Sequence, residues 1–147
     1  MEMALVSPIF FVLMFGAVDL GNYFMSEHVV VKAVRDGARY ASRRAFSEFT
    51  CSTVSSDVTT KTQTLVRTNA IAGTTPRLVG WTDNSTVTVS VACDTTGTYK
   101  GIYTGVSGGV PIVTVAVDLP YGSLFKSFGL GGSLHLRAES KVAVMGV

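Results

Sequence analysis

The stretch from Met3 to Met25 is the feature that most constrains this chain, because it is apolar almost throughout. Its strongly polar interruptions are Ser7, Asp19 and Asn22. At about 1.5 Å of rise per residue, a helix of this length is close to what is needed to cross a bilayer. A buried core helix and an uncleaved signal peptide are the alternatives, but the stretch lacks the basic start and small-residue cleavage site of a signal peptide. We expect a membrane-spanning helix here.

Three residues make this span unusual. Glu2 lies at its edge, where a carboxylate is costly unless it reaches a positive partner or the interface, so we expect a neighbouring subunit to supply that partner. Pro8 lacks a backbone donor and predicts either a kink or a place in the early turns of the helix. Asp19 has two interpretations that the sequence leaves open: a functional group inside the span, or the end of the span at the water interface.

The helix is expected to continue beyond Met25. An apolar stripe recurs at spacings of three and four residues, and it consists of Val30, Val34, Ala38, Ala41, Ala45 and Phe49. A row of small residues, Ala33, Gly37, Ala41 and Ala45, repeats every four residues. The row is explained either by a helix that rests on its own domain or by a helix that packs closely against other subunits. Because Gly inside a helix costs about 1 kcal/mol relative to Ala, Gly37 favours close packing between subunits.

The length of 147 residues allows one anchor and one small domain, with an expected division into 1–50 and 51–147. The two cysteines, Cys51 and Cys93, lie outside the apolar span. An even number of cysteines behind a hydrophobic anchor predicts a disulfide in an oxidising compartment, with two buried free thiols as the alternative. A closed loop of some forty residues would stabilise the fold by about 4 kcal/mol.

The rest of the chain predicts a short second helix and an antiparallel sheet, hence an α+β head behind a long N-terminal helix. The second helix is expected between Ser56 or Asp57, as its cap, and Gly73. Alternating apolar residues predict strands at 86–93, 110–119 and 133–145. In the last of these, Leu134, Leu136, Ala138, Ser140, Val142 and Val144 should face inward. A short strand near Ile102 and a helical turn over 123–128 are further expectations.

Several classes of function find no support in these residues. His28 and His135 lie far apart in the sequence, and neither stands beside a nucleophile and a carboxylate, so no enzymatic activity is expected. The cysteines have no nearby His or second Cys, so neither a metal site nor a cofactor is expected. The net charge of +2 is too small to indicate nucleic acid as a partner.

Two sequence motifs stand out in the first forty residues. One is Glu2-Met3-Ala4-Leu5 with Pro8, Phe15-Gly16 and Asp19-Leu20-Gly21, and the other is the stretch over 33–41. The first resembles the start of the TadE/TadG-like proteins, the minor pilins (pseudopilins) of the bacterial tight-adherence pilus, a branch of the type IV pilus machinery. The second is similar to the helix that follows the membrane span in that family. Pairing of residues 113–120 with 134–144 fits as well. The first forty residues are the specific part of the resemblance.

The resemblance implies a precursor that is cut just ahead of a short segment ending in Glu, here Glu2, whose carboxylate meets the N-terminal amine of a neighbouring subunit. The basic leader, its terminal Gly and about three residues ahead of the Glu are missing here. Either the sequence is truncated, or processing and the Glu2 contact do not apply. Implied partners are other pilin or pseudopilin subunits, the pilus assembly platform and the inner membrane.

The charges after the span favour a head in the cytoplasm. The basic residues are Lys32, Arg35, Arg39, Arg43 and Arg44, which the positive-inside rule would place in the cytoplasm. The cysteines and the resemblance favour a head in the periplasm, and a basic leader would restore the balance. The expected function is therefore a minor pilin that takes part in pilus assembly through helix packing. The alternative is a membrane-anchored periplasmic domain that binds a soluble ligand or an envelope partner.

Overall fold

A computed structural model describes residues 2–97, 99–106, 108–123 and 134–146, with the side chains of residues 2–5 outside the description. The chain opens with helix α1 (Glu2–Ser42), followed by helix α2 (Ser56–Thr68). Three strands come next: β1 (Val87–Asp94), β2 (Val110–Pro120) and β3 (His135–Ala143). Single 3-10 turns lie at Phe46–Glu48, Asn84–Thr86 and Gly101–Tyr103. The predicted α+β class is confirmed.

Helix α1 runs without a break through Pro8 and stops at Ser42. Pro8 has no backbone N–H to donate to the carbonyl of Ala4, so the helix continues there with one hydrogen bond fewer. At the other end the Ser42 carbonyl accepts a hydrogen bond from the backbone N–H of Met145 at 2.7 Å, and the Ser42 hydroxyl donates to the Arg39 carbonyl at 3.0 Å. The predicted apolar stripe is therefore helical only as far as Ala41. Phe49 is buried, but it lies in the segment after the helix.

Helix α2 is shorter than predicted and begins one residue earlier. The side chain of Ser55, not Ser56 or Asp57, accepts the capping hydrogen bond from the Val58 N–H. The helix ends where Asn69 adopts a left-handed conformation, ahead of the expected stop at Gly73. Its many threonines are accommodated because their hydroxyls donate to the carbonyl four residues earlier, at Thr59, Thr60, Thr64 and Thr68.

The sheet is antiparallel throughout, with the order β1-β2-β3. Val87 pairs with Val117, and Val113 with Val142, so the predicted pairing between the last two strands is confirmed. Leu134 is a correction: it is half exposed rather than inward, because strand pairing ends at Pro120 and His135. Residues 101–103 form a 3-10 turn and not a strand. The predicted turn over 123–128 lies largely outside the described residues.

The core lies between one face of the sheet and the two helices. The second half of α1 contributes buried residues from Val30 onward, α2 contributes Val58 and Val66, and β2 contributes Val113 and Val115. Trp81 is fully buried and donates its indole N–H to the Thr86 hydroxyl at 2.8 Å. The second half of α1 therefore belongs to the same core as the head, whereas a domain boundary at residue 50 stays a prediction.

Candidate membrane and subunit-packing site

The first half of α1 carries large apolar side chains that the described chain does not cover. From Val6 to Met25 the exposed ones have 41% to 72% of their surface accessible, and they include Phe10, Leu13 and Val18. The helix containing them is the one helix of the described residues that is long and apolar enough to cross a membrane. By contrast Val30 and Val34, further along the same helix than Met25, are buried. One continuous helix therefore has an uncovered apolar half and a half that is packed in the core.

Asp19 lies within the uncovered half, six residues before Met25, and its side chain is held by the head. Only 9% of the residue is exposed. The Ser123 hydroxyl donates to the Asp19 Oδ2 at 2.7 Å. The Tyr121 hydroxyl lies 3.1 Å from the Asp19 carbonyl oxygen and 3.2 Å from its Oδ1. The carboxylate inside the apolar stretch thus faces polar hydroxyls of the segment after β2.

Two tyrosines complete this junction between helix and head. The rings of Tyr23 and Tyr121 meet edge to face with centroids 5.2 Å apart. The amide of Asn22 donates to the Tyr121 hydroxyl at 3.1 Å, and the Tyr23 hydroxyl donates to the His135 carbonyl at 3.4 Å. Burial raises the pKa of Tyr121, and the nearby Asp19 carboxylate acts in the same direction. The junction fixes the direction in which the apolar half leaves the head.

Comparison with known proteins matches residues 1–39 to the family model of TadE-like proteins. The chain carries a TadE-like N-terminal region. The resemblance inferred from the sequence motifs is confirmed over these residues, which comprise the uncovered apolar half, Asp19 and most of the buried half of α1. Searches of curated proteins and of solved structures found no match.

The small-residue row of the TadE-like region packs inside the head. Ala33 and Ala41 are fully buried, and a Cβ added to Gly37 would overlap the Val66 Cγ2 methyl and lie 3.4 Å from the Thr62 Cγ2 methyl. The close partner of the row is therefore helix α2 of the same chain. This corrects the preference for a face that is free to meet other subunits. The interpretation that the structure supports is the other one left open, a helix resting on its own domain.

Ala45 and Glu2 are the other two residues that were predicted to mediate subunit packing. Ala45 is exposed and lies beyond the end of α1, so it does not continue the row. Glu2 is the first residue of α1, and its side chain is outside the description. The subunit contact expected of Glu2 therefore stays a prediction, as does that of Met3 at the start of the span.

The predicted disulfide is confirmed. Cys51 and Cys93 are bonded, with a Cα–Cα distance of 5.0 Å, and the bond encloses α2 and most of β1. It joins the segment after α1 to the end of β1. The bond therefore ties the segment between α1 and α2 to the edge of the sheet where Cys93 pairs with Pro111, at the opposite end of β2 from Pro120.

The face of the sheet that points away from the helices carries a small charged network. Asp118 accepts hydrogen bonds from the His135 ring and from the Arg137 Nε, the latter at 2.9 Å. The hydrogen bond from His135 lowers the pKa of Asp118, and the positive charge of Arg137 contributes as well. This exposed face lies opposite the inward face that the alternation of apolar residues predicted for the last strand.

The sequence marked Asp19 as a candidate functional residue, but it did not indicate the residues that bind its side chain. Tyr121 and Ser123 follow a strand that ends in Pro120, and they lie about a hundred residues from Asp19 along the chain. Nothing in their local sequence signals a contact with a distant helix. A buried carboxylate does require hydrogen-bond donors, so the general chemistry of Asp19 was the available hint.

Proposed function

We propose that the protein is a minor-pilin-like subunit of a tight-adherence pilus, held in the inner membrane by the first half of α1 before it joins the filament. One observation carries the proposal: the residues that match the TadE-like family are also those whose large apolar side chains remain uncovered. Large contiguous apolar surfaces mark protein or membrane contacts. An N-terminal helix of this kind suits both environments in turn.

The packing surface in an assembled filament is proposed to be the uncovered apolar half and not the small-residue row. Phe10, Phe11 and Phe15 provide large side chains there, with ring contacts between Phe10 and Phe11 and between Phe11 and Phe15. Moving such side chains from lipid into a helix bundle exchanges one apolar environment for another. Dispersion and close packing then have to supply the association energy.

A periplasmic location of the head is part of the proposal. The disulfide between Cys51 and Cys93 supports it, because such bonds persist in oxidising compartments. Lys32, Arg35 and Arg39 are exposed on the half of α1 that packs in the head, so they lie on the same side of the membrane as the head, and a head in the periplasm runs against the positive-inside rule. The proposed role is structural and not enzymatic, and it involves other pilus subunits as partners.

The test is site-specific photocrosslinking in the native host. A photoreactive residue at Leu13, which is 68% exposed, should crosslink to other pilus subunits and be recovered in sheared surface fibres. The same residue at Thr60, exposed on the outer side of α2, serves as the control and should give fewer such products. Crosslinks confined to the membrane fraction, with none in fibres, would favour the anchored binding domain instead.

A further inference from the structure

Exposed apolar side chains from three separate segments surround α1 where it enters the head. Leu20, Phe24 and Met25 lie on the helix with 51% to 72% of their surface exposed. Leu134, immediately before β3, is 49% exposed, and Val79, in the connection between α2 and β1, is fully exposed. We call these five residues the collar. Two of them belong to the head itself, so the apolar surface does not end with the helix.

The collar residues of the head lie at the level of the apolar half of the helix. Leu134 lines a cleft of about 490 Å³ whose other walls are Gly16, Asp19, Leu20, Tyr23 and Tyr121. Val79 lines a second cleft of about 490 Å³ together with Asn22 and Ser26 of the helix. Any layer that surrounds the helix at Gly16 and Leu20 must therefore reach Leu134 as well.

The length of the helix determines how far such a layer extends. The hydrocarbon core of a bilayer is about 30 Å thick. From Val6 to Met25 there are 20 residues, or about 30 Å, which matches it. The stretch of exposed apolar side chains is therefore long enough to fill the hydrocarbon core when the boundary lies near Met25.

Asp19 does not oppose this immersion. A carboxylate facing lipid would be costly, but Asp19 is turned toward the head, where Tyr121 and Ser123 donate to it. Tyr23 and Tyr121 are of the residue type that is enriched where a membrane meets water. Charged groups lie close to both head residues of the collar: Arg77 lines the same cleft as Val79, and the exposed Arg137, bound to Asp118, follows Leu134 on β3.

We propose that the base of the head is immersed in the membrane interface, with the boundary and Val79 near Met25 and with Leu134 among the upper acyl chains. The proposal rests on the membrane anchoring given under Proposed function. Before filament assembly the head then lies directly on the bilayer, with Val79 and Leu134 in contact with lipid. The apolar continuity from helix to collar is what favours lipid as the occupant.

The experiment uses the full chain in vesicles of phosphatidylethanolamine and phosphatidylglycerol, with part of the phosphatidylethanolamine brominated near the carbonyl end of its acyl chains. Leu134→Trp and Val79→Trp should lose most of their added fluorescence, because bromine quenches Trp at short range. Ile102→Trp is the matched control, since Ile102 is an equally apolar residue, 59% exposed, at the far end of the head. The parent chain supplies the signal of Trp81 for subtraction, and Val18→Trp reports insertion of the helix.

The outcomes separate the two proposals. Quenching at positions 18, 79 and 134 but not at 102 supports immersion of the collar. Quenching at 18 alone overturns it, while the anchoring of the helix stands. Absence of quenching at all positions, with the protein extracted by alkaline carbonate, overturns both. A Leu134→Cys variant in vesicles without brominated lipid tests contact with a second copy of the chain. If it readily forms disulfide-linked dimers, the collar contacts that second copy and the lipid contact is overturned.

Discussion

Gly37 gives the sharpest test of how α1 meets the head. A Cβ at this position would overlap a methyl of Val66, and a Val side chain has little freedom to move aside. The substitution Gly37→Ala gains about 1 kcal/mol of helix propensity. Overpacking a tight core site costs about 1 to 3 kcal/mol, so the net effect should be a loss of up to about 2 kcal/mol. Gly37→Leu should cost more and should prevent a native head.

The assay is urea unfolding of the detergent-solubilised full chain, followed by the fluorescence of Trp81, which is fully buried. Gly21→Ala is the matched control, because Gly21 lies in the same helix and a Cβ there meets nothing within 4 Å. The control should leave the free energy of unfolding unchanged or slightly higher. Gly37→Ala combined with Val66→Ala should show a favourable coupling energy of about 1 kcal/mol or more.

The result that refutes the reasoning is a Gly37→Ala protein as stable as the parent that nevertheless fails to crosslink to its pilus partners. Gly37 would then face other subunits, as the small-residue spacing first indicated, and the packing against α2 would not hold in solution. A loss of stability without a specific loss of crosslinking per folded molecule supports the packing within the chain.

Three further predictions concern other parts of the head. Replacing Cys51 and Cys93 together by Ser should lower the free energy of unfolding by about 4 kcal/mol in the chain-entropy model, measured by urea denaturation. The pKa of Asp118, measured by NMR titration, should lie below its ordinary value of 3.8 and should rise in a His135→Ala variant. The ionised Asp118 should stabilise the fold above pH 3.8, and this stabilisation should be lost as the pH falls through the lowered pKa. Tyr121→Phe, which removes a hydroxyl bonded to α1, should speed amide hydrogen exchange at the helix–head junction while membrane insertion stays intact.

The elements of the fold were accessible from the sequence because their periods are strong. Alternation gave the inward faces of the strands, including Val87 and Val91, since a strand has a period of two. The end of α1 was not accessible, because spacing alone carries the stripe on to Ala45 and Phe49. The hydrogen bond from Met145 that satisfies the last turn comes from the opposite end of the chain.

The candidate site was only half accessible for a similar reason. The spacing of Ala33 and Gly37 correctly indicated a face that another helix approaches closely, but periodicity does not say to which molecule that helix belongs. Here α2 follows within the same chain and supplies Thr62 and Val66. Because threonine has a low helix propensity, the sequence predicted α2 only weakly and did not identify it as the partner of α1.

The unbroken path of α1 through the junction ties the head to the apolar half in a fixed orientation. Beyond Met25 the helix enters the core, and the ion pair between Asp36 and Arg77, at 3.1 Å, joins it to the segment after α2. At Asp19 the hydroxyls of Tyr121 and Ser123 bind the helix to the segment that follows β2. Because no flexible linker separates the two halves, a rotation of the apolar half in a membrane or filament must rotate the head with it.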